Sequence, residues 1–200
     1  MATNRRLIEN NGFDFFPTPR WATKAFIECY SQTHPLLFEL DDVLEPCCGD
    51  GAISKVLDDL GFNVTSFDIV NRGYGKVLSI YDYEVKHELV ITNPPFNDMD
   101  RMFPKLYGLA DTMLVLFLRT SFLEGKKRFN QIFGPTRPTS IYVHTERVSL
   151  YKNGVKGDQG GGTTSYSWFV WDKDVIRARD FDDKSYDTIV EWIPPGYKHD

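Results

Sequence analysis

Apolar and polar positions along the first two thirds of the chain alternate between short β-branched or apolar runs and stretches with helical spacing. The runs Val43-Leu44, Asn63–Phe67, Leu89–Thr92 and Thr112–Leu118 predict strands, and the stretches from about Ala52 to Leu60, Asp100 to Leu109 and Gly125 to Phe133 predict helices. Strands that alternate with helices predict an α/β fold built on a parallel sheet. The last third changes character, with Thr139–His144, Arg147–Tyr151 and Tyr166–Trp171 reading as strands and a hairpin around a glycine-rich loop from Gly154 to Gly162. Parallel units that end in antiparallel strands predict a mixed, doubly wound sheet with helices on both faces and an antiparallel C-terminal edge hairpin. Successive strand residues face opposite ways, so Tyr166, Trp168 and Val170 belong to one face, Phe169 and Trp171 to the other, and most of them to the core. No repeat and no long linker divides the 200 residues, which predicts a single domain over 1–200 with residues 172–200 as a segment at the sheet's edge.

Composition narrows the class. Hydrophobic residues make up 42% of the chain and charged residues 26%, the balance of a folded domain large enough to bury its own core. The longest apolar stretch, Thr112–Leu118, is far shorter than the roughly 20 residues of a membrane-spanning helix. The chain after Arg5 and Arg6 runs through Glu9, Asn10, Asn11 and Asp14, without the apolar segment of a secretion signal. Cys29, Cys47 and Cys48 have neither CxxC spacing nor a nearby histidine, which predicts no disulfide framework, no metal site and a reducing, cytoplasmic setting.

Charge is unevenly distributed. The net charge is −5, yet Ala25–Leu118 holds six basic and fifteen acidic residues while 119–156 holds eight basic and two acidic. A basic segment on an acidic protein is suited to meet phosphates locally rather than to coat nucleic acid.

The candidate chemistry lies at two turns. Glu45-Pro46-Cys47-Cys48-Gly49-Asp50-Gly51 follows the first strand and leads into a helix, the place where a doubly wound sheet binds nucleotides. Ser54 stands where the dinucleotide fingerprint has its third glycine, which disfavours a pyrophosphate-binding dehydrogenase. Asp68 ends the next strand at the spacing that brings an acid to ribose hydroxyls, and Asp82 lies in a loop placed to reach an adenine edge. Asn93-Pro94-Pro95-Phe96 follows the strand Leu89–Thr92 at the same sheet edge. The Asn93 side-chain oxygen and the Pro94 carbonyl are acceptors suited to both hydrogens of an exocyclic amine, and Phe96 offers a stacking face.

Together, the glycine turn and Asn93–Phe96 resemble S-adenosyl-L-methionine-dependent adenine-specific DNA methyltransferases, in particular the small enzymes encoded by phages and prophages. The resemblance spans about Phe15 to Trp171 and implies a class I, Rossmann-like fold with a seven-stranded sheet. It implies cofactor contacts from Phe16, Pro17 and Thr18 in the segment Phe15–Pro19, from Glu45, Pro46, Cys47, Gly49 and Gly51 at the turn, and from Asp68, Ile69, Asp82 and Asn93. Asn93, Pro94, Pro95 and Phe96 would carry the transfer, leaving S-adenosyl-L-homocysteine, and methylation would shield DNA from nucleases in a bacterial or phage-infected host. No stretch is long enough for a separate target-recognition domain. Substrate contacts then fall to Phe96, Arg119, Lys126, Lys127, Arg128, Arg147, Lys152, Thr163 and Thr164, with a flipped-out adenine of DNA as the expected partner. The same motif also suits adenine in RNA or a protein glutamine, and a non-catalytic cofactor-binding subunit is a further alternative. Neither membrane nor metal is expected as a partner, and the oligomeric state is not legible.

Overall fold

The computed structural model describes residues 15–155, 164–178 and 187–199. Near-continuous apolar runs form the centre of its sheet: β4 (His87–Thr92), β5 (Ala110–Arg119) and β7 (Tyr166–Asp172) are buried on both faces along most of their length, as strands covered by helices on either side must be. β1 (Asp42–Glu45), β2 (Asn63–Asp68) and the two-residue β3 (Lys76–Val77) extend the sheet on one side, and β6 (Ser140–His144) and β8 (Ile189–Ile193) on the other. The order is β3-β2-β1-β4-β5-β7-β6-β8. β7 alone runs against its neighbours β5 and β6; every other pairing is parallel.

The sheet differs from the sequence expectation in strand number, in the place of its antiparallel strand and at Arg147–Tyr151. Among the described residues the sheet has eight strands rather than seven, because Ile189–Ile193 pairs with β6 from Ser140↔Ile189 to His144↔Ile193. The antiparallel strand is therefore not at the edge; it is inserted between β5 and β6. Arg147–Tyr151 pairs with no strand, and its alternation has another cause: Val148 and Leu150 are buried side chains of a core-lining loop.

The side-chain period of two divides the core into two layers. Val115, Phe117, Trp168 and Val170 pack under α1 (Arg20–Thr33) and α2 (Ser54–Asp59), whereas Leu114, Leu116, Phe169 and Trp171 pack under α3 (Met99–Leu109) and α4 (Lys173–Ala178). α3 buries Met99, Met102, Phe103 and Leu106, the i, i+3, i+4, i+7 stripe that made it legible. α1 escaped prediction because its buried face includes Ala22, Thr23 and Ala25, too small or polar to mark a stripe. The expected helix at Gly125–Phe133 is a single turn, Lys126–Arg128, that widens into a π-helical turn over Phe129–Phe133. Among the described residues no helix is long and apolar enough to cross a membrane.

Trp168 joins the layers to α1: its ring stacks on Phe26 at 4.8 Å and its indole N–H donates to the Ala22 carbonyl at 3.2 Å. Trp168→Ala is expected to cost about 3–5 kcal/mol by transfer and cavity effects, read as a lower urea midpoint. Trp192→Ala, at a position 65% exposed, is expected to leave the midpoint within about 0.5 kcal/mol of wild type.

Candidate active site

The strands β1, β2, β4 and β5 deliver Glu45, Asp68, Thr92 and Arg119 to one edge of the sheet, at the point where the strand order reverses. Gly49 and Gly51 take left-handed φ angles of 55° and 79° in the turn after β1. The space a Cβ would need is filled by protein: the Phe15 ring lies against Gly49, and the Tyr74 ring would sit 2.5 Å from a Cβ on Gly51. These glycines therefore admit aromatic rings of the chain itself, and neither is among the residues that line the cleft. The Gly49 N–H donates to Asp68 Oδ2 at 2.9 Å, tying the ends of β1 and β2 together.

Ser54 explains the missing third glycine. It is fully buried, its N–H donates to Glu45 Oε2 at 2.8 Å, its hydroxyl makes a very short bond to the same oxygen, and Oγ lies 2.7 Å from Ser66 Oγ. A glycine would leave that buried carboxylate oxygen without its hydroxyl partner. Burial pushes the Glu45 carboxyl up to about 8; Ser54 opposes this by favouring the charged form, while Asp68 and Asp50 add to the rise.

Asn93 lies just beyond β4. Its amide nitrogen donates to the Phe16 carbonyl at 2.9 Å and to Thr18 Oγ1 at 3.0 Å. Both amide hydrogens are thus committed to the N-terminal segment, which leaves the side chain an acceptor oxygen to present. Thr18, expected to touch the cofactor, acts also as a tether for Asn93. Beside it, the Arg119 guanidinium lies 4.8 Å over the Phe96 ring, and the Tyr166 ring is 5.8 Å from Phe96.

A cleft of about 460 Å³ connects these groups, within the ~300–1,000 Å³ typical of small-molecule sites. Of the sequence-predicted residues, Phe16, Pro17, Thr18, Glu45, Pro46, Cys47, Asp68, Ile69, Asn93, Pro94, Pro95, Phe96 and Arg119 line it. Asp82 does not. It ends a tight helical turn over Ile80–Asp82, capped by Ser79, and is exposed while Ser79, Ile80 and Tyr81 face the cleft. Successive residues of such a turn point about 120° apart, and the loop's sequence did not reveal which would turn inward. Arg72, Asp98 and Met102 also line the cleft and carried no motif signal.

The substrate candidates divide. Arg128 joins Phe96 and Arg119 around a second depression of about 150 Å³ beside the cleft. Lys126 and Lys127 are exposed on the same short turn, with Lys127 3.3 Å and Arg128 3.2 Å from Asp100 carboxylate oxygens. Lys152 is exposed in a turn held against the N-terminal segment, where the Asn153 N–H donates to the Phe15 carbonyl at 2.8 Å. Arg147 is exposed and Thr164 half-buried, and neither lines the cleft or the second depression. Thr163 and residues 156–163 of the glycine-rich loop lie outside the described residues.

The cleft offers little to nucleophilic or metal chemistry of its own. Burial holds the Cys47 thiol well above its ordinary range and pushes Cys48 up to about 12, so neither is a thiolate at neutral pH. No histidine lines the cleft, and among the described residues no group of three or more metal-ligating side chains gathers. Its lining instead offers acceptors on Asp68 and Asn93, the rigid Pro94-Pro95 pair, and the cations Arg72 and Arg119.

The fold and this edge define the Rossmann-like class I methyltransferase architecture. A candidate RNA methyltransferase from Pyrococcus horikoshii shares it at a TM-score of 0.59 and 17% identity, over 82% of this chain and 90% of that one. Thermoplasma acidophilum protein 1320 shares it at a TM-score of 0.52 and 15% identity, over 83% and 92% of the two chains. At such identities the likeness is one of fold. The sequence matches no protein-family model and no curated protein.

The raised Glu45 pKa has a measurable consequence. An unfolded glutamate titrates near ~4.3, so between that pH and about 8 the folded chain keeps a proton that the unfolded chain has lost. This contribution to stability is full below the unfolded pKa and is lost as pH rises through the folded one. Glu45→Gln is expected to flatten the fall in melting temperature from about pH 5 to about pH 8.5 relative to wild type. Parallel pH profiles of the two proteins would refute the assignment.

Proposed function

We propose that the chain transfers a methyl group from S-adenosyl-L-methionine to the exocyclic amino group of adenine in DNA, leaving S-adenosyl-L-homocysteine. The observation that carries this reading is the Asn93 amide, whose nitrogen is held by Phe16 and Thr18 so that its oxygen is the free function beside Pro94 and Phe96.

The residues present fit the cofactor. Asp68 spends one lone pair of each carboxylate oxygen on the N–H groups of Gly49 and Val70 and keeps others for a ribose diol. Ile69 is an apolar side chain left 37% exposed in the cleft, a surface that a flat heterocycle would cover. When bound, S-adenosyl-L-methionine supplies an electrophilic methyl group on a sulfonium.

An adenine amino nitrogen is a poor nucleophile because its lone pair is delocalised into the ring. Asn93 Oδ1 and the Pro94 carbonyl, each accepting one of its hydrogens, favour a pyramidal nitrogen with its lone pair directed outward. Such a site works by positioning and electrostatics rather than through a strong base. Phe96 and Arg119, stacked on each other, give the base an aromatic and cationic wall. A paired base cannot bring its amine to this depth, so the nucleotide enters flipped out or single-stranded. The basic segment carrying Lys126, Lys127 and Arg128 supports a nucleic acid over a glutamine side chain as substrate.

Nucleoside mass spectrometry of DNA and RNA from methylation-deficient bacteria expressing wild type or Asn93→Ala tests the reading. The expected result is 6-methyladenine in DNA with wild type alone, while the variant still gains thermal stability with the cofactor. Methylated adenine confined to RNA, or none in either, would refute a DNA substrate. Thr18→Val removes one of the two bonds that orient Asn93, and is expected to lower kcat about tenfold to a hundredfold with the Asn93 oxygen still in place.

A further inference from the structure

The turn after β5, which carries Lys126, Lys127 and Arg128, also presents apolar side chains to which the methyl-transfer reading gives no role. Its inner side is anchored: Ile132 and Phe133 are buried, and the Phe133 ring meets Phe122 edge-on at 5.6 Å. Its outer side carries Phe129, 59% exposed, with Leu123, 46% exposed, on the approach, and the two flank Lys126, Lys127 and Arg128. Phe129 and Leu123 thus put an aromatic ring and an aliphatic side chain in water on either side of a crest of three basic residues, two of which pair with Asp100. The ring's base is stiff, because the Phe129 N–H donates to the Gly125 carbonyl at 3.0 Å and the Phe129 carbonyl accepts from the Gly134 N–H at 2.6 Å. The crest also adjoins the site: Arg128, next to Phe129 in the chain, lines the depression shared with Phe96 and Arg119.

We propose that Phe129 is a wedge that enters a DNA duplex and fills the gap left by the extruded adenine, with Lys126, Lys127 and Arg128 on the flanking phosphates. The inference rests on the adenine-methylating reading of the cleft. Extrusion leaves a hole in the base stack, and the lost stacking must be offset for the flipped state to persist. A flat apolar ring restores stacking whatever the neighbouring bases are, because every base has a π-face. Cationic side chains beside the ring match the phosphates that border such a gap. The partner is a duplex rather than a membrane or protein because Arg128 of the crest lines a depression that shares Phe96, Asn97 and Arg119 with the cleft.

The test measures methyl transfer to three oligonucleotides of one sequence: a single strand, a perfect duplex, and a duplex with an abasic position opposite the target adenine. Phe129→Ala is expected to lose roughly tenfold or more on the perfect duplex, to match wild type on the single strand, and to recover on the abasic duplex, where no pair has to be broken. Phe129→Trp is expected to restore duplex activity. Coincident melting curves are expected for the variants, since the side chain is exposed. Unchanged duplex activity in Phe129→Ala, or an equal loss on all three substrates, would overturn the wedge and leave the cleft reading intact. A wild type inactive on every DNA, including the single strand, would overturn the DNA reading and the wedge with it.

Discussion

A side-chain amide has one donor end and one acceptor end, and whichever end the protein ties down decides what the other can offer. In this chain the Asn93 nitrogen is held by the Phe16 carbonyl and the Thr18 hydroxyl, and much of the architecture serves to keep that segment in place. Thr18 lies just before α1, so its position is inherited from the helix. α1 is fixed by burial of Ala22, Ala25 and Phe26, by the stack of Phe26 on Trp168 and by the indole bond to Ala22. Trp168 belongs to β7, the reversed strand inserted beside β5. An interaction at the strand ends thus depends on a tryptophan buried in the sheet, and loosening the helix would free the amide to rotate and present the wrong end.

The opposite wall of the cleft follows a different logic. Its carboxylates are spent within the chain: Asp68 accepts from the backbone N–H groups of Gly49 and Val70, and Glu45 accepts from both the N–H and the hydroxyl of Ser54. A buried carboxyl that titrates near 8 while accepting two hydrogen bonds is a compromise between desolvation, which favours the neutral form, and its partners, which favour the charged one. Because Ser54 opens α2 and Glu45 closes β1, these bonds also tie strand to helix across the turn against which Phe15 and Tyr74 pack.

Local features of the site were legible in the sequence; long-range ones were not. Glu45–Gly51 and Asn93–Phe96 declare themselves because the residues act within a few positions of one another, next to strands whose apolar runs are unmistakable. The partners of Asn93 lie 75 and 77 residues away, and no periodicity encodes such a contact. α1 was missed because part of its buried face is small and polar, Arg147–Tyr151 was misread because burial alone imitates a strand's alternation, and β8 was missed because its exposed Ile189, Val190 and Trp192 give no inside face to recognise. Asp82 marks a finer limit: Ser79, Ile80 and Tyr81 of its loop line the cleft while Asp82 itself is exposed, and nothing in the loop's sequence shows which side of the turn faces inward. In the last third, the two-face rule alone placed Trp168 and Trp171 in separate core layers, since it needs only a strand and a parity.

Charge counting overstated how much of the basic segment is available to phosphates. Lys127 and Arg128 both reach Asp100 at the start of α3, so part of the surplus read from residues 119–156 is spent within the chain. Lys127 is exposed, where an ion pair holds by about 1 kcal/mol or less, so a phosphate can compete for it, whereas the Arg128–Asp100 pair is half-buried. Arg119 is different. Its partner is the Phe96 ring rather than a carboxylate, which leaves its full positive charge beside the amine acceptors on an otherwise acidic domain. On a chain of net charge −5, Arg119 and Phe96 thus set a positive charge and an aromatic face beside the acceptor oxygen of Asn93.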